Sequence, residues 1–178
     1  MSLETSLFRE LGELLADRLR EQLRSGRCGC RVQVRYVVYP EVNQLLLAAS
    51  RHPLVLVRPL ALEASSDESD RCDAAWLMSF QVHFLRELPK YSPCEADMGL
   101  SGTVLQEYGD IGALDECLAA MVQLADILSG EVDLAGAVLE SIDPSELFDE
   151  SWLRQGRVFV GTVDVKYLVT LARGGTDA

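Results

Sequence analysis

The sequence predicts an α+β domain: a mainly antiparallel sheet of about five strands with two helices packed on one face, in the order α-β-β-β-α-β-β. Three observations carry that expectation. Two segments repeat their apolar residues at helical spacing, five show the alternation or the apolar run of a strand, and the two kinds are segregated rather than interleaved.

Residues 3–24 read as an amphipathic helix. Leu7, Leu11, Leu15, Leu19 and Leu23 recur every four residues, with Phe8 and Leu14 widening the stripe. Glu10, Glu13, Asp17, Arg20, Glu21 and Arg24 suit the solvent side, and Ser25-Gly26 supplies the stop. Residues 31–38 switch to period two. Val32, Val34, Tyr36 and Val38 share one face and Arg31, Gln33 and Arg35 the other, a half-buried strand ended by Pro40. A short helical connection is expected over 41–49. Leu54-Val55-Leu56-Val57 is apolar on both sides, as in a central strand covered from both faces. The polar, acidic run from Ala64 to Asp73 reads as an exposed loop.

From Ala74 to Arg86 the alternation is clear. Trp76, Met78, Phe80, Val82 and Phe84 lie on one side, and Ser79, Gln81 and His83 on the other. His83 reads as a strand residue on the polar face. Residues 87–111, punctuated by Pro89, Pro93, Gly99, Gly102 and Gly109, have no sustained period and form an irregular insertion, either a binding arm or a disordered segment.

A second helix is predicted over 113–129 from Leu114, Cys117, Leu118, Met121, Leu124, Ala125 and Leu128, closed by Ser129-Gly130. Leu134 to Ile142 is expected to be a strand. Asp143-Pro144-Ser145-Glu146 has the form of a helix start, with a short helix or turn running toward Arg154 and Gly156 closing it. Phe159, Gly161, Val163, Val165, Tyr167, Val169 and Leu171 alternate with Thr162, Asp164, Lys166 and Thr170 in a long terminal strand.

The chain has 178 residues, 48% hydrophobic and 25% charged. That is the mixture of one folded domain, taken as residues 1–173 with residues 174–178 a disordered tail. No run approaches the ~18 apolar residues of a transmembrane helix. Glu4, Arg9, Glu10 and Glu13 interrupt any signal-peptide core, so a cytosolic or cytosol-assembled protein is expected.

Lys and Arg number 16 against 28 Asp and Glu, a formal charge of −12. Gripping nucleic acid needs clustered cations that displace counterions from phosphate, so specific nucleic-acid binding is not expected. The charge is uneven. Residues 1–40 carry seven arginines against five acids and the remainder is strongly acidic, so the basic end of one copy could approach an acidic face of another.

Catalytic and metal-binding signatures do not emerge. Five cysteines (28, 30, 72, 94 and 117) are an odd count for a disulfide framework, and Cys28-Gly29-Cys30 has no second pair to complete a zinc site. The nucleophile-elbow, metalloprotease, phosphate-loop and dinucleotide motifs are all missing, and Gly99-Leu100-Ser101-Gly102 lacks the lysine of a phosphate cradle. Asp67, Glu68 and Asp70 lack the calcium-loop glycine and distal glutamate, and read as a solvated acidic loop. No catalytic residue, metal or cofactor is assigned.

The succession of segments does resemble a known family, the tail terminator or tail-completion proteins of long-tailed bacteriophages and their prophage relatives. The resemblance rests on the helix SLFRELGELLADRLREQL, the strand ending in Tyr39-Pro40, the strand Leu54-Val55-Leu56-Val57-Arg58-Pro59 and the acidic loop reaching Asp70-Arg71-Cys72-Asp73. A long strand, the helix ALDECLAAMVQLADIL, Asp143-Pro144, Leu153 and Phe159 leading into VDVKYLV complete it. It implies a small, non-enzymatic virion subunit. Copies would form a homo-oligomeric ring, possibly a hexamer, that caps the tail tube protein and docks the head connector. Its place would be the host cytoplasm during assembly and the virion tail or neck thereafter. A ring needs heterologous interfaces that close by rotation. Arg31 and Arg35, with Asp67, Glu68 and Asp70, are the candidate subunit contacts.

Two other readings stay open from the residues alone. One is a different head–tail adaptor or minor tail subunit. The other is a small cytosolic enzyme or ligand-binding domain with the 87–111 loop as its lid, for which a deep pocket lined by acids and His83 would be the mark.

Overall fold

The computed structural model describes residues 3–25, 32–38, 52–64, 74–89, 111–130, 133–146, 149, 151–153 and 157–171. In chain order these give α1 (Leu3–Ser25), β1 (Gln33–Tyr36), β2 (Leu54–Ala64), β3 (Ala74–Glu87), α2 (Ile111–Gly130), β4 (Asp133–Leu134), β5 (Ala137–Glu146) and β6 (Val158–Leu171). The strands form one six-stranded sheet in the order β1-β2-β3-β6-β5-β4. The α+β class is as the sequence predicts.

The centre of the sheet is the antiparallel pair of β3 and β6, in unbroken register from Ala74 opposite Leu171 to Glu87 opposite Val158. Through the middle of both strands apolar residues alternate with polar ones, so the pairing sets apolar against apolar on one face. Phe80 meets Val165, Val82 meets Val163, and Phe84 meets Gly161. Both helices pack on that face. Leu11, Leu15 and Leu19 of α1 and Cys117, Met121, Leu124 and Leu128 of α2 are buried with Val55, Val57, Met78, Phe80, Val163, Val165 and Tyr167 in one core. Phe80 anchors it, its ring centroid 4.9 Å from that of Phe8 and 6.5 Å from that of Tyr167. Gly12 has a specific reason to be there. A β-carbon at that position would lie 2.9 Å from Tyr36 Cδ2 and 3.0 Å from Phe80 Cε1, so glycine lets the helix settle onto the sheet.

The four residues Leu54, Val55, Leu56 and Val57 are all buried. Val55 and Val57 enter the main core, whereas Leu54 and Leu56 join Leu85, Val37 and Val160 in a second cluster on the other face. The run is thus covered on both sides, as expected, although its strand is one place in from the sheet edge.

Four local expectations are corrected. The β1–β2 pair is parallel, so the sheet is mixed, although its other pairs are antiparallel. The first strand covers only Gln33–Tyr36, and Val38, placed among the inward residues, is 46% exposed. The segment from Leu134 to Ile142 is two strands, not one. Ala135 and Gly136 turn with φ of 55° and 82°, the paired positive values of a type I′ hairpin, and the Gly136 amide donates to Asp133 Oδ1 at 2.9 Å. Asp143-Pro144-Ser145-Glu146 belongs to β5 rather than to a helix start. The register shifts between Asp143 and Glu146, and that bulge accommodates a proline that cannot donate to the ladder. Helical geometry appears instead at residues 151–153.

The 41–49 helix, residues 65–73 of the acidic loop, residues 90–110 of the insertion, Gly156 and the 174–178 tail lie outside the described residues.

Candidate functional site

Both helices lie on one side of the sheet, and the opposite face carries its own set of side chains, several of them buried. The register arranges them in bands. At one end Leu54, Leu85 and Val160 are neighbours, followed by Leu56, His83 and Thr162. Next comes a charged row of Arg58, Gln81, Asp164 and Asp143, running across four strands. Ala61, Ser79, Lys166 and Ser141 form the row beyond it. In the last band Leu77 lies opposite Leu168 and Leu168 opposite Val138, three apolar residues flanked by Glu63 on β2 and Asp133 on β4. Leu77 and Leu168 are half-buried and belong to neither hydrophobic cluster, and Val138 is 52% exposed.

His83 sits on the polar side of β3, as its strand position predicts. Its Nδ1 lies 3.0 Å from Thr162 Oγ1. Burial lowers its pKa below the ordinary value, Arg58 lowers it further, and Asp164 opposes both. The imidazole is therefore neutral at pH 7. Thr162 is only 8% exposed, so the pair is a cross-strand hydrogen bond rather than a presented nucleophile and base. Asp164 Oδ1 is buried with no hydrogen-bond partner.

Of the candidate contact residues, Arg35 is exposed on β1 and its Nη2 donates to Gln33 Oε1 at 3.0 Å. Arg31, Asp67, Glu68 and Asp70 lie outside the described residues, as do Cys28, Cys30, Cys72, Cys94 and Gly99 to Gly102. The structure thus brings Arg35 to an edge strand of the sheet.

Sequence reasoning missed the charged row and the Leu77–Leu168–Val138 band. A signal for the band exists: Leu77 and Leu168 are large and apolar at positions where the alternation calls for polar residues.

The arginines of α1 are largely compensated along their own helix. Arg9 pairs with Glu13 at 2.9 Å, Arg18 with Glu21 at 3.9 Å, and Arg20 with Asp17. Arg20 also donates from Nη2 to the Val34 carbonyl at 3.0 Å, tying α1 to β1. The shallow open depression lined by Asp17, Arg20, Glu21 and Arg24 is a trough among these paired side chains.

Cys117 is fully buried, and burial pushes its thiol up to about 11, which makes it a core residue and not a nucleophile. Arg86 bridges from β3 to Glu116 of α2 at 2.9 Å beside it. Among the described residues, no three His, Cys, Asp or Glu side chains converge as metal ligands, and no helix is long and apolar enough to cross a membrane. No protein-family model and no curated protein matches the chain.

Proposed function

We propose that this chain is a non-enzymatic phage or prophage assembly subunit of the tail-terminator kind, which works by forming a ring on the tail tube and docking the head connector. The observation that carries the reading is the Leu77–Leu168–Val138 band, three apolar side chains in register across β3, β6 and β5 on the face away from both helices. Leu77 and Leu168 are half-buried and Val138 exposed, all outside both hydrophobic clusters, and such a placement supports a role in contact. The row of Ser79, Lys166 and Ser141 next to them, and the charged row beyond it, give such a contact orientation and register. The order of elements in the family resemblance points the same way. The His83–Thr162 pair does not favour an enzyme, since its hydroxyl is buried within the sheet.

The test combines sedimentation velocity on the purified chain with negative-stain imaging of the chain mixed with assembled phage tail tubes. Rings, free or at tube ends, are the expected result. A monomer at up to about 1 mM, where an interaction of about −4 kcal/mol is already half-formed, together with bare tube ends, would overturn the reading. Leu168→Asp is expected to abolish tube-end occupancy while leaving the fold intact.

A further inference from the structure

The strand order separates two stretches of unlike charge. Residues 22–40 hold Arg24, Arg27, Arg31 and Arg35 and no acid. Residues 111–146 hold Asp115, Glu116, Asp126, Glu131, Asp133, Glu140, Asp143 and Glu146 and no lysine, arginine or histidine. The first stretch supplies the end of α1 and β1, one margin of the sheet. The second supplies α2, β4 and β5, at the other margin. Arg24 and Arg35 are exposed on the first side, and Asp126, Asp133, Glu140 and Asp143 on the second.

The exposed large apolar side chains follow the same division. Val38 and Leu60, both 46% exposed, lie at the β1–β2 side, and Val122 and Val138, 59% and 52% exposed, lie on α2 and β5. The β1–β2 side thus couples its two uncovered apolar groups to exposed Arg24 and Arg35, with Glu63 the exposed acid of β2, whereas the α2–β5 side couples its pair to acids alone.

Both margins also discourage simple strand addition. β1 pairs only with the first four residues of β2, and the remainder of β2 carries Pro59 and a register shift. β4 pairs only with the start of β5, which carries Pro144 and a second shift.

From this placement we infer that copies of the chain associate head to tail, the cationic β1–β2 margin of one against the acidic α2–β4–β5 margin of the next, through side chains rather than a continuous sheet. The inference rests on the assembly reading and names the surfaces that build the ring. Contacts between unlike patches repeat around a ring when the rotation closes.

The experiment uses two charge-reversed full-length variants, Arg24→Glu with Arg35→Glu, and Glu140→Lys with Asp143→Lys. Circular dichroism and thermal midpoints check their folding, and association is followed by sedimentation velocity and by ring occupancy on tail tubes. Each variant alone is expected to need about 10-fold or more higher concentration than wild type for half-association. An equimolar mixture should recover to within about 3-fold, because in an alternating ring the reversed margin of one variant faces the reversed margin of the other, opposite in sign again, and their unreversed margins face each other. Raising salt to about 0.5 M should weaken the wild-type contact, since exposed charges are screened within a few ångströms there. Wild type that forms rings which neither variant, nor salt, nor mixing alters would overturn this inference and leave the assembly reading standing. Wild type that forms no ring in solution or on tubes would remove both.

Discussion

At the residue scale, His83 links stability to pH. The folded protein holds the imbalance in favour of neutral imidazole, by burial first and then by Arg58, while the unfolded chain binds a proton near the ordinary value of 6.5. Below that value the unfolded state binds more protons than the folded one, so stability falls with pH. The contribution is complete above about 6.5 and is lost as pH drops through the lowered folded value. Urea unfolding at pH 7.5 and 5.5 should show a steeper loss in wild type than in His83→Gln, and equal losses would remove the argument. Gly12 makes a second case. Glycine inside a helix ordinarily costs about 1 kcal/mol relative to alanine, so Gly12→Ala would stabilise an open helix. Here the new methyl group meets the Tyr36 ring and Phe80. A destabilisation of about 1–3 kcal/mol is expected from denaturant melts, and Gly12→Ala combined with Tyr36→Ala should recover part of it.

Among the elements, the β4–β5 hairpin holds a correctable local cost. Ala135 adopts a φ of 55°, where its β-carbon crowds the carbonyl oxygen. Ala135→Asn, a residue that type I′ turns favour at that position, should raise stability by about 0.5–1 kcal/mol in thermal unfolding. The same hairpin shows where the sequence stops being legible. Helices such as α1 and α2 and the strands β3 and β6 announce themselves because their pattern runs for three or more turns or a dozen alternating residues. Ala135-Gly136 is a weaker turn signal than Asn-Gly or Asp-Gly, and a two-residue partner strand has no period to detect. Asp143-Pro144-Ser145-Glu146 misleads for a related reason: acid, proline and glutamate are a good helix start locally, but pairing of β5 with β6 takes precedence, and the bulge absorbs the proline. Direction was equally hidden, since nothing in the alternation of β1 distinguishes parallel from antiparallel pairing with β2. For the candidate site, the polar phase of β3 and β6 was readable residue by residue. That Arg58, Gln81, Asp164 and Asp143 share a row was not, because register is a property of two strands at once.

For the whole molecule, a formal charge of −12 and self-paired arginines along α1 leave little cationic surface for phosphate. A mobility-shift titration at physiological salt should show no retained complex with duplex DNA even at about 10⁻⁴ M chain, the weak end of non-specific binding. A salt-sensitive shift below that concentration would contradict it. The sheet also has a temporal consequence. Its central strand, β6, comes last in the chain, yet it joins β3 to β5. Until β6 has been synthesised, the nascent polypeptide possesses two sheet fragments and no means to unite them. Closure of the sheet must therefore wait for β6, and a chain terminated before Val158 would be left with β3 as a long, sticky, unclosed seam.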